Sequence, residues 1–84
     1  MSGSNMLDSY YPMETIEELV KKNGQVDGNL IGVDGNAFAV IGYTIGKLRK
    51  GGWPRADVDK VSKIAMSGDY DNVLATCAAT LTFE

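Results

Sequence analysis

The stretch that decides the fold is Val33-Asp34-Gly35-Asn36-Ala37-Phe38-Ala39-Val40-Ile41-Gly42-Tyr43-Thr44-Ile45-Gly46-Lys47-Leu48-Arg49-Lys50-Gly51-Gly52. It predicts a turn followed by the longest helix of the chain. The Asn36 side chain can accept a hydrogen bond from the first free N–H groups of this helix, so Asn36 is the expected N-cap. Gly51-Gly52 supplies the left-handed residue that commonly follows a helix end.

The spacing of apolar residues predicts which face of this helix is buried. Residues on one helical face recur every three or four positions, as do Phe38, Ile41, Ile45 and Leu48. The opposite face then carries Asn36, Tyr43, Lys47 and Lys50. Gly42 and Gly46 lie between the two faces, each at a cost of about 1 kcal/mol relative to alanine. Two readings stay open: the same helix of a second subunit approaches this strip, or a core aromatic packs on it.

The whole chain predicts a small, mainly helical α+β domain with about four helices and two short strands. Residues 1–12 are an expected flexible arm, and residues 13–84 are the expected single domain. The first expected helix runs from about Met13 to Lys22, with Pro12 near its first position and Gly24 at its end, and a polar turn at 25–29 and a strand at 30–33 follow it. After the central helix we expect a third helix, with Pro54 at its first position and an apolar stripe of Val58, Val61, Ile64 and Ala65. A fourth helix from Tyr70 to about Ala79, capped by Asp69, and a strand at 80–83 complete the chain.

The strands also bear on self-association. A lone strand leaves backbone groups unpaired, so the two strands must pair with each other or with another copy of the chain. A chain of 84 residues buries a smaller share of its surface than a larger one does. We therefore expect oligomerisation, as a dimer or a tetramer, to complete the domain.

Composition excludes several classes of function. The chain has no histidine, the commonest general base and metal ligand, and its single cysteine, Cys77, has apolar neighbours typical of a buried residue. The net charge of −3 argues against a nucleic-acid polymer as partner. A single cysteine cannot form an internal disulfide, which predicts a cytosolic protein. No apolar run has the length of a membrane span, and no signal-peptide pattern is present. We expect no enzyme activity, no metal and no cofactor.

Two groups of residues are candidates for binding an anion. The first is the N-terminus of the central helix, where Gly35, Asn36 and free N–H groups can hold a phosphate, although capping alone explains these residues and Asp34 would repel an anion. The second combines cations with aromatic rings that can stack on a base. Its members are Tyr43, Lys47, Lys50, Trp53 and Arg55. The alternative is a solvated helix end with Trp53 sealing the core, and for Trp53 this is the favoured interpretation.

The segment from Lys47 to Lys63 supplies local positive charge, because six basic residues outnumber two acidic ones. A third motif, Ser67-Gly68-Asp69-Tyr70-Asp71, has the spacing of half a calcium loop. The remaining ligands are missing, so a helix cap at Asp69 is the favoured interpretation.

The segments Asp34-Gly35-Asn36-Ala37-Phe38-Ala39-Val40-Ile41-Gly42 and Ser67-Gly68-Asp69-Tyr70-Asp71 resemble motifs of a widespread group of very small proteins from tailed bacteriophages and prophages. The resemblance covers about residues 29 to 83. Small phage proteins of this kind are also similar to the viral sponge proteins that sequester cyclic oligonucleotide signals of bacterial antiphage immunity, known as CBASS.

The resemblance implies a function in the host bacterial cytoplasm. An immune-evasion protein of this class would bind intact 3′,3′-cyclic dinucleotides, or related signals, in pockets between subunits without cleaving them. Gly35, Asn36 and the second candidate group are the contacts it implies. Two alternatives stay open. One is an interaction module that acts on a host protein through the Gly42/Gly46 strip and Tyr10-Tyr11, and the other is a virion accessory protein.

Overall fold

A computed structural model describes residues 14–82 as four helices and one two-stranded parallel sheet. In chain order the elements are α1 (Ile16–Asn23), β1 (Val26–Asp27), α2 (Ala37–Lys50), α3 (Arg55–Ala65), α4 (Tyr70–Thr80) and β2 (Leu81–Thr82). The predicted α+β class, with four helices and two short strands, is confirmed. The predictions for the 1–12 arm, Met13 and Phe83 lie outside the described residues.

The predicted helix caps are confirmed at three positions. The Asn36 side chain accepts a hydrogen bond from the Phe38 N–H at 2.7 Å, and the Asp69 side chain accepts one from the Asn72 N–H at 3.0 Å. Gly24 ends α1 with a φ of 84°. Each cap satisfies backbone groups that a helix end leaves without partners.

The predicted start of the first helix is wrong. α1 begins at Ile16, three residues later than expected, because Thr15 caps it. The Thr15 hydroxyl accepts from the Glu18 N–H, and the Glu18 carboxylate accepts from the Thr15 N–H at 2.8 Å. This is a capping box, whose signature of threonine followed three residues later by glutamate is present in the sequence.

The end of α2 forms a Schellman motif. The Gly52 N–H donates to the Arg49 carbonyl and the Trp53 N–H donates to the Leu48 carbonyl. Gly52 has a φ of +93°, as the motif requires of its left-handed residue. Trp53 and Leu48 belong to the same hydrophobic cluster, so packing of the core also stabilises this end of α2.

The predicted first strand is also wrong. Leu30 to Val33 forms a turn, in which the Val33 N–H donates to the Leu30 carbonyl and Gly32 has a φ of +90°. The strand lies instead at Val26–Asp27, inside the predicted polar turn, and pairs in parallel with Leu81 and Thr82. Val26 was the only large apolar residue in that segment, too weak a pattern to predict a strand.

Two hydrophobic clusters form the core, and the predicted face of α2 is only partly correct. Ile41 and Leu48 are buried, and Ile45 packs against both clusters, but Phe38 is 76% exposed. Compared with the prediction, the buried side of α2 is rotated about the helix axis, so that Val40 and Thr44 are buried in addition to Ile41 and Leu48. The cluster members are Leu19, Leu48, Trp53, Val58 and Val61 in the first, and Val40, Ile41, Ala65, Val73 and Cys77 in the second.

A charged network joins α1 to α3. Asp57 is buried, and its carboxylate accepts hydrogen bonds from Asn23 at 2.9 Å and from Lys22 at 3.4 Å. Lys22 and Lys60 also bind Glu14, at 3.2 and 2.9 Å. The hydrogen bond from Asn23, followed by that from Lys22, lowers the pKa of Asp57 below its ordinary value. The bonds from Lys60 and Lys22 likewise lower the pKa of Glu14.

We therefore expect the protein to lose stability in acid. A carboxylate whose pKa is lower in the folded than in the unfolded state stabilises the fold above its unfolded pKa, and this contribution disappears as pH falls through the folded value. Urea unfolding at pH values from about 7 down to about 3 should show this decline, and Asp57→Asn should make it shallower. At neutral pH the substitution should cost about 1 to 3 kcal/mol. Asp59→Asn, at an exposed position on α3, is the control; an equal effect there would contradict the prediction.

Candidate ligand-binding cleft

The structure divides the predicted site residues between the two ends of α2. Gly35 and Asn36 precede the first turn, whereas Lys47 and Lys50 lie in the last turn. At 1.5 Å per residue these ends are about 20 Å apart. A single chain therefore does not combine the predicted helix cap and the predicted basic cluster in one site.

Lys47 and Lys50 line a small cleft of about 200 Å³ at the C-terminal end of α2. Val26 and Asp27 in β1 and Gly51 at the end of α2 also line it. A methyl group at Gly51 would overlap Val26 Cγ1, so glycine allows the strand to lie this close to the helix end. The cleft has two cations and one anion, which gives it a local charge of +1.

Tyr43 lies outside the lining of the cleft, one helical turn before Lys47 on α2. Its hydroxyl oxygen accepts a hydrogen bond from the Asn29 N–H at 3.0 Å, which holds the segment after β1 against the helix. Lys47 Nζ lies 5.7 Å from the centre of the Tyr43 ring, within the range of a cation–π interaction. Tyr43 therefore orients Lys47, and one face of its ring is already covered.

Trp53 and Arg55 do not join this cleft. Trp53 is 5% exposed, and its indole N–H donates to the Gly24 carbonyl at 2.9 Å. It belongs to the first core cluster, in agreement with the alternative that it seals the core. Arg55 is exposed at the start of α3, beyond the Pro54 turn.

The other cations of the basic segment are dispersed. Lys60 binds Glu14 at 2.9 Å and lies 3.7 Å from Asp57, so its charge is neutralised within the α1–α3 network. Lys63 is exposed in the last turn of α3. The locally positive segment is thus continuous in sequence but not on the surface, and only its first part faces the cleft.

Both motifs carried by the phage resemblance act as helix caps in this fold. In the first, the Asp34 carboxylate accepts from the Asn36 N–H at 3.2 Å, beside the Asn36 cap. In the second, Asp69 caps α4, and the Asn72 amide donates to the Ile64 and Ala65 carbonyls at the end of α3. Within residues 14–82, no group of three or more potential acidic or thiol ligands is placed to hold a metal ion.

The apolar surface around Phe38 was not predicted from the sequence. Phe38, Met66 and Tyr70 are 76%, 55% and 40% exposed, and they border a shallow hollow of about 290 Å³ between α2 and α4. Phe38 was assigned to the core because its spacing fits a helical stripe.

The position of Asp27 in the cleft with Lys47 and Lys50 was not predicted either, because it depends on the long-range pairing of β1 with β2.

We found no match to this chain among protein-family models, curated proteins or solved structures. Of the helices in the described part, none has both the length and the apolar character needed to cross a membrane.

Proposed function

We propose that the protein binds a small anionic nucleotide, of the cyclic oligonucleotide class used as bacterial immune signals, and sequesters it intact. The observation that carries the proposal is the position of Lys47 and Lys50, one helical turn apart on the same cleft. Two ammonium groups at this spacing suit the phosphate groups of one ligand, because hydrogen bonds between ions are stronger than those between neutral groups.

The chemistry of the cleft supports binding rather than cleavage. Its side chains comprise two lysines, one aspartate and a valine, with Tyr43 alongside. Hydrolysis of a phosphodiester by protein groups alone uses an activated nucleophile or a general base close to the phosphate. Asp27 is the one carboxylate in this lining, and it accepts a hydrogen bond from the Thr82 hydroxyl at 3.3 Å. We assign it no catalytic role.

The cellular setting in this proposal comes from the resemblance to small phage proteins. Sequestering an immune signal in the host cytoplasm would protect a phage without chemistry. The contacts we propose are Tyr43, Lys47 and Lys50, with Gly35 and Asn36 as a second group. Trp53 is withdrawn because it is buried in the core, and Arg55 because it lies outside the lining of the cleft.

A binding panel tests this proposal. Purified protein is titrated with 3′,3′-cyclic dinucleotides and cyclic trinucleotides by isothermal calorimetry, with AMP as the control that lacks a phosphodiester ring. We expect at least one cyclic member to bind, and heat denaturation of the complex to release it with unchanged chromatographic mobility. Failure to retain any member would refute the proposed ligand class, and release of a linear product would refute sequestration.

A second candidate function is favoured by the apolar surface formed by Phe38, Met66 and Tyr70. Exposed aromatic and methionine side chains grouped in one place are typical of protein-binding surfaces. In that case a host protein would occupy the hollow between α2 and α4. Capture of one host protein from lysate, lost in a Met66→Ser/Tyr70→Ser variant and independent of added nucleotide, would favour this function over the first.

A further inference from the structure

The side of α2 that faces away from the core is exposed along its length. Phe38, Gly42, Gly46 and Arg49 recur at intervals of four, four and three residues, and all four are exposed. We call them the outer face of α2. The buried residues Val40, Thr44 and Leu48 lie on the other side of the helix, against α3 and α4.

Charge differs in sign between the two ends of this face. Asp34 precedes α2, and Asp69 borders the same hollow as Phe38, with Asp71 in the first turn of α4 after it. The basic residues of α2 are all in its last turn, at Lys47, Arg49 and Lys50. A two-fold axis perpendicular to α2 would place the acidic end of one copy against the basic end of another.

We propose that the outer face of α2 is a homodimer interface in which the α2 helices of two copies run antiparallel. Gly42 of one copy then lies opposite Gly46 of the other, and Phe38 lies opposite Arg49. No atom beyond the helix lies within 4 Å of a methyl group built on either glycine, so a second helix can approach closely there. The Phe38 ring would be covered by the aliphatic stem and guanidinium group of Arg49.

This arrangement also completes the nucleotide cleft, a step that rests on the proposed function. Asn36, Tyr43, Lys47 and Lys50 share one flank of α2, at about 100° per residue. A two-fold axis keeps the same flank of both copies on one side of the dimer. Antiparallel pairing therefore brings Asn36 of one copy beside Lys50 of the other, although these residues are about 20 Å apart within one chain.

The size of the cleft favours such a shared site. Pockets for small ligands usually have volumes of about 300 to 1,000 Å³ and cover most of the ligand. The cleft in one chain, at about 200 Å³, is smaller than that range. A second copy adds another wall and a second set of donors, and the symmetry of the dimer gives two identical sites.

Sedimentation velocity of the full chain without nucleotide tests the interface. We expect a dimer whose dissociation constant rises at least about 100-fold in Phe38→Ser, because each of the two copies loses its large aromatic contact. Ile31→Ser is the matched control, since Ile31 is 87% exposed outside the outer face and should leave the constant unchanged. Circular dichroism checks that both variants are folded. A wild-type monomer at every concentration reached, or an unaltered dimer in Phe38→Ser, would overturn the interface.

A charge exchange tests the antiparallel direction. Asp34→Lys and Arg49→Glu should each weaken the dimer about fivefold, as two symmetry-related exposed pairs are lost. The double variant should dimerise more tightly than Arg49→Glu alone, because opposite charges then face each other again, but less tightly than the wild type, because the contact between Arg49 and Phe38 stays lost. A double variant that dimerises no more tightly than Arg49→Glu alone would rule out antiparallel pairing. If the dimer forms but no cyclic nucleotide binds, only the proposed function fails; if a monomer binds the nucleotide, only the interface fails.

Discussion

Trp53→Ala should lower the free energy of unfolding by about 3 to 5 kcal/mol, the range expected when a large core aromatic is removed. Trp53 is 5% exposed and contacts the cluster that contains Leu19 and Leu48. Its indole N–H also satisfies the Gly24 carbonyl at the end of α1. One side chain thus joins the end of α2 to the end of α1, and its loss creates a cavity and leaves a carbonyl without its partner.

Urea unfolding followed by far-ultraviolet circular dichroism measures this effect. Trp53→Phe should cost less, because it keeps most of the ring packing and loses the N–H donor. Arg55→Ala, two residues away and exposed, should change stability by less than about 0.5 kcal/mol. A loss below about 1 kcal/mol in Trp53→Ala would contradict its place in the core. As Trp53 is the only tryptophan, its fluorescence should also stay unquenched when a nucleotide occupies the cleft.

The sequence predicted the features whose physical cause is local. A helix cap needs a short polar side chain within three residues of the N–H groups it serves, and Asn36 and Asp69 were identified on that basis. The glycines that end α1 and α2 were identified in the same way, because a left-handed residue is a property of one position. The capping box at Thr15 had an equally local signature and was missed.

The errors arose where the cause lies far along the chain. β1 exists because Val26 and Asp27 pair with Leu81 and Thr82, more than 50 residues later. The orientation of α2 is a similar case: stripes through Phe38 or through Val40 both fit a helical period, and only the positions of α3 and α4 decide between them. The same rotation placed Phe38 on the surface and made the outer face of α2.

In the candidate site, too, the local features were predicted and those that depend on distant parts of the chain were not. Periodicity correctly placed Tyr43, Lys47 and Lys50 on a surface flank of α2. It did not show that Lys60 is neutralised by Glu14, because that depends on contacts with α1. The burial of Trp53, the favoured interpretation at that position, is confirmed. The predicted basic cluster was therefore too large, because residues that are close in sequence have side chains that the fold separates.

Replacing both cleft lysines, in Lys47→Ala/Lys50→Ala, should weaken binding of a cyclic nucleotide at least about 100-fold. Each charge-assisted contact to a phosphate contributes about 1.5 to 3 kcal/mol, and two such losses exceed a hundredfold change in affinity. The fold should persist, because Lys50 is exposed and Lys47 is half-buried on the surface. Isothermal calorimetry measures the affinity, and circular dichroism confirms folding.

Lys21→Ala/Lys63→Ala is the matched control for this variant. Both lysines are exposed in the last turn of a helix, and their removal changes the net charge by the same amount. Weakening in the control equal to that in the cleft variant would show that total charge, rather than the cleft, attracts the ligand.

Asp27→Asn removes the negative charge of the cleft and should change the affinity in the opposite direction. Because Asp27 shares the cleft with both lysines, removing its charge should strengthen binding several-fold. If the lysine and aspartate variants changed affinity in the same direction, the phosphate would not lie in this cleft.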